Sequence, residues 1–204
     1  MDQLFAAFLV AALVICVTPG PDMVYVISFG VAKGRSGGVA AAFGIALGML
    51  FHTLLAAFGV AAVVSRYPVV LIVLKVIGVA YLCRLGYTLI RDRSAPLVSA
   101  AGPPRSLLRI VFSAALVNIT NPKIFLFYLA FLPQFTSADA GPVWSQLLVL
   151  GGVFVLMGFV TDGVVGLVSG ALNARLAAGT ALVRRVNVSC GLIMFVLAGV
   201  IAVG

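Results

Sequence analysis

Apolar residues run along this chain in six blocks, at roughly 4–31, 39–64, 68–90, 107–135, 146–169 and 186–203. The short stretches between them gather most of the charges. About 20 mostly apolar residues cross a bilayer core as one helix, so the pattern predicts six transmembrane helices, the last close to the minimum length. Two blocks are interrupted midway. The first carries Thr18-Pro19-Gly20-Pro21-Asp22 and the fourth carries Asn118-Ile119-Thr120-Asn121-Pro122-Lys123. Proline removes a backbone donor and clashes with the preceding turn, so each motif frees carbonyls and amides inside hydrocarbon. Freed backbone at that depth is tolerated only where protein or a wet cavity satisfies it. Broken helices at matching places in two halves point to the binding site of a transporter.

The chain divides into residues 1–93, a linker at 94–106 that carries Pro96, Gly102, Pro103 and Pro104, and residues 107–204. Each flanking part holds three blocks. An odd number of helices per half makes the halves enter the membrane from opposite sides, the arrangement of an inverted repeat. The sequences of the halves are only faintly alike, so this expectation rests on helix count and on the paired proline breaks. Lysine and arginine set the orientation. Lys33, Arg35, Arg91, Arg93, Arg105, Arg109, Arg175, Arg184 and Arg185 fall on one side, and only Arg66 falls on the other. The positive-inside rule puts the basic side in the cytoplasm and both termini outside, in the periplasm of a bacterial inner membrane.

Composition agrees with this reading and narrows it. The 204 residues are 63% hydrophobic and 9% charged, with a mean hydropathy of +1.26, which leaves no aqueous domain for an enzyme. The net charge of +8 comes from short loops facing anionic lipid rather than from a nucleic-acid footprint. Cys16, Cys83 and Cys190 stand singly in apolar stretches, giving neither a disulfide framework nor a metal site, and no cofactor motif is present. The N-terminal run begins with Asp2 rather than a basic residue and extends past a signal-peptide core, so it reads as a retained first helix. Rows of small residues (Ala40, Gly44 and Gly48; Gly166 and Gly170) favour helix packing within one subunit over a dedicated homodimer face.

Each ionisable group inside a span costs about 2.5–3.5 kcal/mol on insertion scales and needs a reason. The candidates are Asp22, His52, Lys75, Arg84, Lys123 and Asp162. Lys123 follows Pro122 where a new half-helix begins, so its ammonium and the freed amides are placed to hold a carboxylate. Asp22 follows Pro21 in the same way, either as a ligand or as an N-terminal cap. Asp162 has no cap to make in a continuous helix, which suits a substrate ammonium or a proton. His52 titrates near neutrality and suits proton transfer, although a lone histidine in a span more often bonds a neighbouring helix. Lys75 pairs structurally or reaches outward, and Arg84 reaches the cytoplasmic surface.

At these residues the chain resembles the LysE/RhtB family of bacterial amino-acid exporters. The likeness lies in the Thr18–Asp22 motif with the turn at residues 34–38, and in Gly44-Ile45-Ala46-Leu47-Gly48. It continues through Lys75-Val76-Ile77-Gly78-Val79-Ala80-Tyr81-Leu82 with Gly86, Asn118 with Asn121-Pro122-Lys123, and Phe131-Leu132-Pro133-Gln134-Phe135. The aspartate after the first break resembles the homoserine/threonine branch. The resemblance implies a proton-driven inner-membrane exporter of neutral amino acids, surrounded by membrane lipid. The substrate-binding set expected is Thr18, Pro19, Gly20, Pro21, Asp22, Asn118, Asn121, Pro122, Lys123 and Asp162, with Asp22, Asp162 and His52 as proton carriers.

Three other classes share parts of this pattern. A thiol-redox electron carrier would use Cys16, but residues 107–135 supply no partner cysteine. A metal-cation exporter would have to bind its ion with two aspartates and one histidine among three cations, a poor shell for a divalent metal. A passive channel would not require paired helix breaks.

Overall fold

The computed structural model describes residues 2–60, 69–91 and 106–171, with positions 62, 66, 67, 188, 189, 192, 195, 196, 198 and 199. The linker at 94–106 apart from Ser106, most of the sixth block, Arg93, Arg105, Arg175, Arg184, Arg185, Cys190 and the Lys75 side chain lie outside the described residues. The described part is all-helical and contains no strand. Its elements are α1 (Asp2–Val17), α2 (Pro21–Leu55), α3 (Val69–Arg91), α4 (Leu107–Ile119), α5 (Pro122–Leu126) and α6 (Val143–Ala171).

Block one is broken as its prolines require. Helix α1 stops at Val17, and Thr18 folds its hydroxyl back onto the Val14 carbonyl at 2.6 Å. Gly20 is extended, and Pro21 restarts the chain at the first position of α2, where a missing N–H costs nothing. Block four breaks in the same manner. Helix α4 ends at Ile119, Asn121 caps α5 by accepting from the Lys123 amide at 3.0 Å, and Pro122 again holds the first helical position. The two parts of that span are bent by 51°. Beyond Leu126 the chain widens into a π-turn at Phe127–Phe131 and tightens into a 3₁₀ turn at Leu132–Phe135, where the sequence suggested one continuous helix. Pro133 cannot donate to the carbonyl four residues back, and the α-helical bonding ends there.

The first loop is shorter than the block pattern implies. Within α2 only Gly34 leaves helical geometry, at φ 71°, a conformation favourable to glycine. The chain reverses there, so Gly37 packs against the Phe29 carbonyl eight residues earlier. In a straight helix those positions would stand about 12 Å apart. Lys33 and Arg35 flank the reversal.

The contacts fix the direction of the remaining elements. Gly48 of the returning arm meets Asn118, Gly44 meets Val111, and Gly38 lies against Gly166, with a carbon added at Gly38 falling 2.6 Å from the Gly166 Cα. Arg35 and Gly34 meet Gly170 near the end of α6. At the far end of the molecule Phe8 of α1 packs edge-on to Phe135 at 5.6 Å. The first broken span therefore runs from Phe8 toward the Gly34 turn, and the second runs from the Arg109 end back toward Phe135. They cross the molecule in opposite directions, with their breaks side by side.

Helix α6 is about 43 Å long at the α-helical rise, enough to span a hydrocarbon core of about 30 Å. Its buried stripe is Leu150, Phe154, Gly158, Asp162, Gly166 and Ser169, and its other faces expose Val149, Leu156, Val160 and Val164. Large apolar side chains are also exposed along α2 and α3. This inverts the soluble pattern and fits a surface covered by lipid. The core is aromatic where the spans meet, with Phe127 and Phe154 ring centroids 4.3 Å apart.

Candidate functional site

A proline leaves the carbonyl four residues before it without its helical partner. Pro19 does this to Ile15 and Pro122 does it to Asn118. Each orphan is recovered by a side chain from another element. The Lys123 ammonium donates to the Ile15 carbonyl at 3.1 Å and to the Thr18 carbonyl at 2.9 Å. The His52 Nε2 stands 3.4 Å from the Asn118 carbonyl, and since a carbonyl only accepts, that nitrogen carries the proton. The Asn121 backbone N–H also donates to the Asn118 carbonyl at 2.9 Å. A group able to carry positive charge thus sits on the C-terminal end of each upstream half-helix, where the helix dipole favours it.

The two breaks are joined a second time. The Asn118 side-chain amide donates to Asp22 Oδ2 at 3.0 Å. Gly20 makes room for the ammonium: a carbon added there would lie 3.1 Å from Lys123 Nζ. Thr18, Asp22, His52, Asn118, Asn121, Lys123 and Asp162 are all buried, whereas Pro21 and Pro122 are exposed at the helix starts and Pro19 and Gly20 are half-buried.

Asp22, Lys123 and Asp162 converge on one small cavity of about 10 Å³, room for a single water. Asp162 enters it from α6 and makes no hydrogen bond or ion pair among the described residues. The remaining wall is apolar, from Ile15, Met23, Ile45, Met49, Ile124 and Phe154, with the Cys16 thiol and the bare backbone of Gly158 completing it. Around the break, Asp22 Oδ1, Asn118 Oδ1 and Asn121 Nδ2 are buried without a partner. Buried polar atoms are rarely left so, and three of them at one junction leave capacity for a ligand or water.

The sequence-predicted set is brought together, with two changes of role. The α5 amide at Lys123 is taken by the Asn121 side chain instead of being left for a carboxylate, and the Lys123 ammonium spends two of its three hydrogens on the Ile15 and Thr18 carbonyls. His52 is buried against the second break and stacks on Tyr128 with centroids 5.6 Å apart, while Tyr128 and Thr53 share a hydrogen bond at 2.9 Å. Arg84 is exposed on α3 and does not line the cavity. Among the described residues no group of His, Cys, Asp or Glu is arranged to hold a metal. Sequence reasoning left out Met49, Phe154 and Gly158 from the site. For Phe154 and Gly158 the signal was their four-residue spacing with Asp162, which puts all three on one face of α6; for Met49 on α2 there was none.

The chain is 33% identical over 149 residues to a membrane protein of Vibrio cholerae, covering 73% of this chain and 72% of the relative. It is 30% identical over 159 residues to the leucine efflux protein of an Enterobacter species, covering 76% and 74%. The leucine efflux protein of Salmonella choleraesuis is 30% identical over 153 residues, covering 74% and 72%. No solved structure matches the chain. The family described as LysE type translocator matches residues 13–204. The chain accordingly belongs to the LysE-type translocators, which are membrane transporters and not enzymes.

Proposed function

We propose that the protein exports neutral amino acids across the bacterial inner membrane in exchange for protons, and that the cavity between the two helix breaks is its transport site. The observation that carries this reading is a charge count. Two buried carboxylates, Asp22 and Asp162, share the cavity with one ammonium, Lys123. An unpaired charge at that depth is costly, so the site calls for one more positive charge. A proton on a carboxylate supplies it, and so does the ammonium of an amino acid. The two compete for the same oxygens, and mutually exclusive binding at one alternating site is antiport. The substrate carboxylate would take the third Lys123 hydrogen and the unpartnered Asn121 amide.

The cavity has room for about one water and is too small for an amino acid, so loading it requires the half-helices to part. The paired breaks, crossing in opposite directions, support a six-helix inverted repeat of residues 1–93 and 107–204 as the moving frame. The basic residues beside Gly34 and at Arg109 favour that end as cytoplasmic, with both termini periplasmic. Relatives named leucine efflux proteins support a neutral substrate, as does the absence of a larger acidic cluster.

The test is counterflow in proteoliposomes with a panel of amino acids, with and without an imposed pH gradient. Saturable exchange of neutral amino acids, driven uphill by the gradient, is the expected result. Exchange indifferent to the gradient would remove the proton, and failure to exchange any amino acid would remove the whole assignment.

A further inference from the structure

Beside the charged groups, the same cavity is walled by apolar side chains. Among them are Ile45, Met49 and Phe154 over Gly158 of α6. The Met49 thioether, rather than a side chain of α6, occupies the space above Gly158: a carbon added at Gly158 would lie 2.7 Å from the Met49 sulfur and 2.8 Å from its terminal methyl. The next atom met, the Cys16 sulfur, is 3.9 Å away. Methionine has three rotatable bonds and adapts to irregular space, so it can leave this seat at little cost. Displacing the thioether would leave room there for an alkyl group of about its own size.

We infer that Met49 and Gly158 determine side-chain specificity: the Met49 thioether stands in the seat that an aliphatic amino acid's side chain takes when it loads. This rests on the transport site proposed above and names its substrate class, aliphatic rather than hydroxylated. Over Gly158 the only polar side-chain atom is the weakly donating Cys16 thiol, and in the proposed loaded site the cavity's carboxylates and ammonium are engaged by the substrate's own charged groups, so a side-chain hydroxyl goes unpaired there whereas valine and leucine lose nothing. This reading differs from the homoserine/threonine preference that the sequence resemblance implies.

Purified full-length protein in proteoliposomes, assayed by leucine counterflow against valine, threonine, alanine and phenylalanine, tests this. Valine and threonine are isosteres, so their ratio reads the hydroxyl alone. Wild type is expected to favour valine by about 10–100-fold. Gly158→Val fills the seat and should lower the leucine-to-alanine exchange ratio by at least about tenfold. Met49→Ala empties it and should raise the phenylalanine-to-leucine ratio. Gly158→Ala, which displaces only the flexible end of Met49, gives a smaller shift in the same direction and serves if the valine variant does not fold. Equal exchange of threonine and valine, or ratios unchanged in folded variants, overturns the specificity assignment while amino-acid exchange itself stands. A protein that exchanges no amino acid overturns both.

Discussion

Asn118 donates its side-chain amide to Asp22 across 3.0 Å, joining two helix breaks 96 residues apart in sequence. The same residue presents its backbone carbonyl to His52 at 3.4 Å. One asparagine thus holds a carboxylate with one end and a histidine with the other, both at the junction where proline has opened the helices. Replacing it by leucine of similar size would remove the hydrogen bond to Asp22 Oδ2. Asn118→Leu should cost about 1–3 kcal/mol, the penalty of orphaning a buried acceptor, and somewhat more because the acceptor is charged. Thermal unfolding in detergent measures it. Stability equal to wild type would mean that the bond carries no weight.

Lys123 serves both the fold and the charge balance, and these contributions can be separated. Lys123→Met leaves the Ile15 and Thr18 carbonyls without their donor and both carboxylates uncompensated, so a loss of about 3–5 kcal/mol is expected. Adding Asp162→Asn removes one negative charge without restoring the donor. The double variant should regain part of the lost stability, a coupling readable from a double-mutant cycle in thermal unfolding, and should still not transport. Strictly additive losses would show that Asp162 and Lys123 do not sense one another.

The breaks were legible in the sequence because proline's defect is local: it lacks an N–H wherever it stands. Pro19 and Pro122 therefore announce which carbonyls, Ile15 and Asn118, need another donor. Which donor arrives is not local. Lys123 reaching Ile15 depends on two spans crossing in opposite directions, and nothing near either residue encodes that pairing. The seat at Gly158 was hidden for a related reason, since a glycine in an apolar helix reads as packing until the methionine above it is seen. Gly34 shows the reverse. The turn was expected, but a single left-handed residue suffices where several were allotted to a loop.

Gly38 and Gly166 bring the backbones of α2 and α6 into direct contact beside the cytoplasm-assigned end. A carbon at Gly166 would fall 2.7 Å from the Gly38 carbonyl carbon, and backbone cannot swing aside as a side chain can. Gly166→Val should therefore separate the helices at a cost of about 1–3 kcal/mol or more, by overpacking. Gly163→Val, one turn away where nothing lies within 4 Å, is the control and should be near neutral. Thermal unfolding of the two variants side by side distinguishes close helix packing from a general intolerance of valine in α6.

His52 gives the cleanest separation of coupling from binding. It does not line the charged cavity, yet it faces the Asn118 carbonyl and stacks on Tyr128. The titratable or charged groups nearest that junction are Asp22 on its own helix beyond the Gly34 turn, Tyr128 from the π-turn and Lys123 from α5. His52→Gln keeps an N–H for the Asn118 carbonyl but cannot gain a proton. If His52 passes the coupling proton to Asp22 by way of this junction, the variant should retain counterflow within a few-fold of wild type while losing uphill transport driven by a pH gradient. If the histidine only satisfies the orphaned carbonyl, glutamine should preserve both activities and leucine should lower both together.

Asp162 is the group on which the exchange turns. Asp22 is held by Asn118, and Lys123 is held by the α1 carbonyls, while Asp162 enters the same cavity without a hydrogen bond among the described residues. The exchangeable positive charge therefore belongs to it more than to Asp22. Asp162→Asn leaves one carboxylate against one ammonium, a neutral cavity with no call for a further cation. Exchange should fall by at least about 100-fold, the loss of one buried charge-assisted contact of about 3 kcal/mol, while stability stays level or rises because an uncompensated charge has gone. Asp162→Glu keeps the charge one methylene farther out and should transport measurably. Asp22→Asn should lose stability as well as exchange, since its bond to Asn118 is part of the frame. Equal transport by Asp162→Asn and wild type would leave the second carboxylate without a task, and proton–substrate competition would have to move to Asp22 alone.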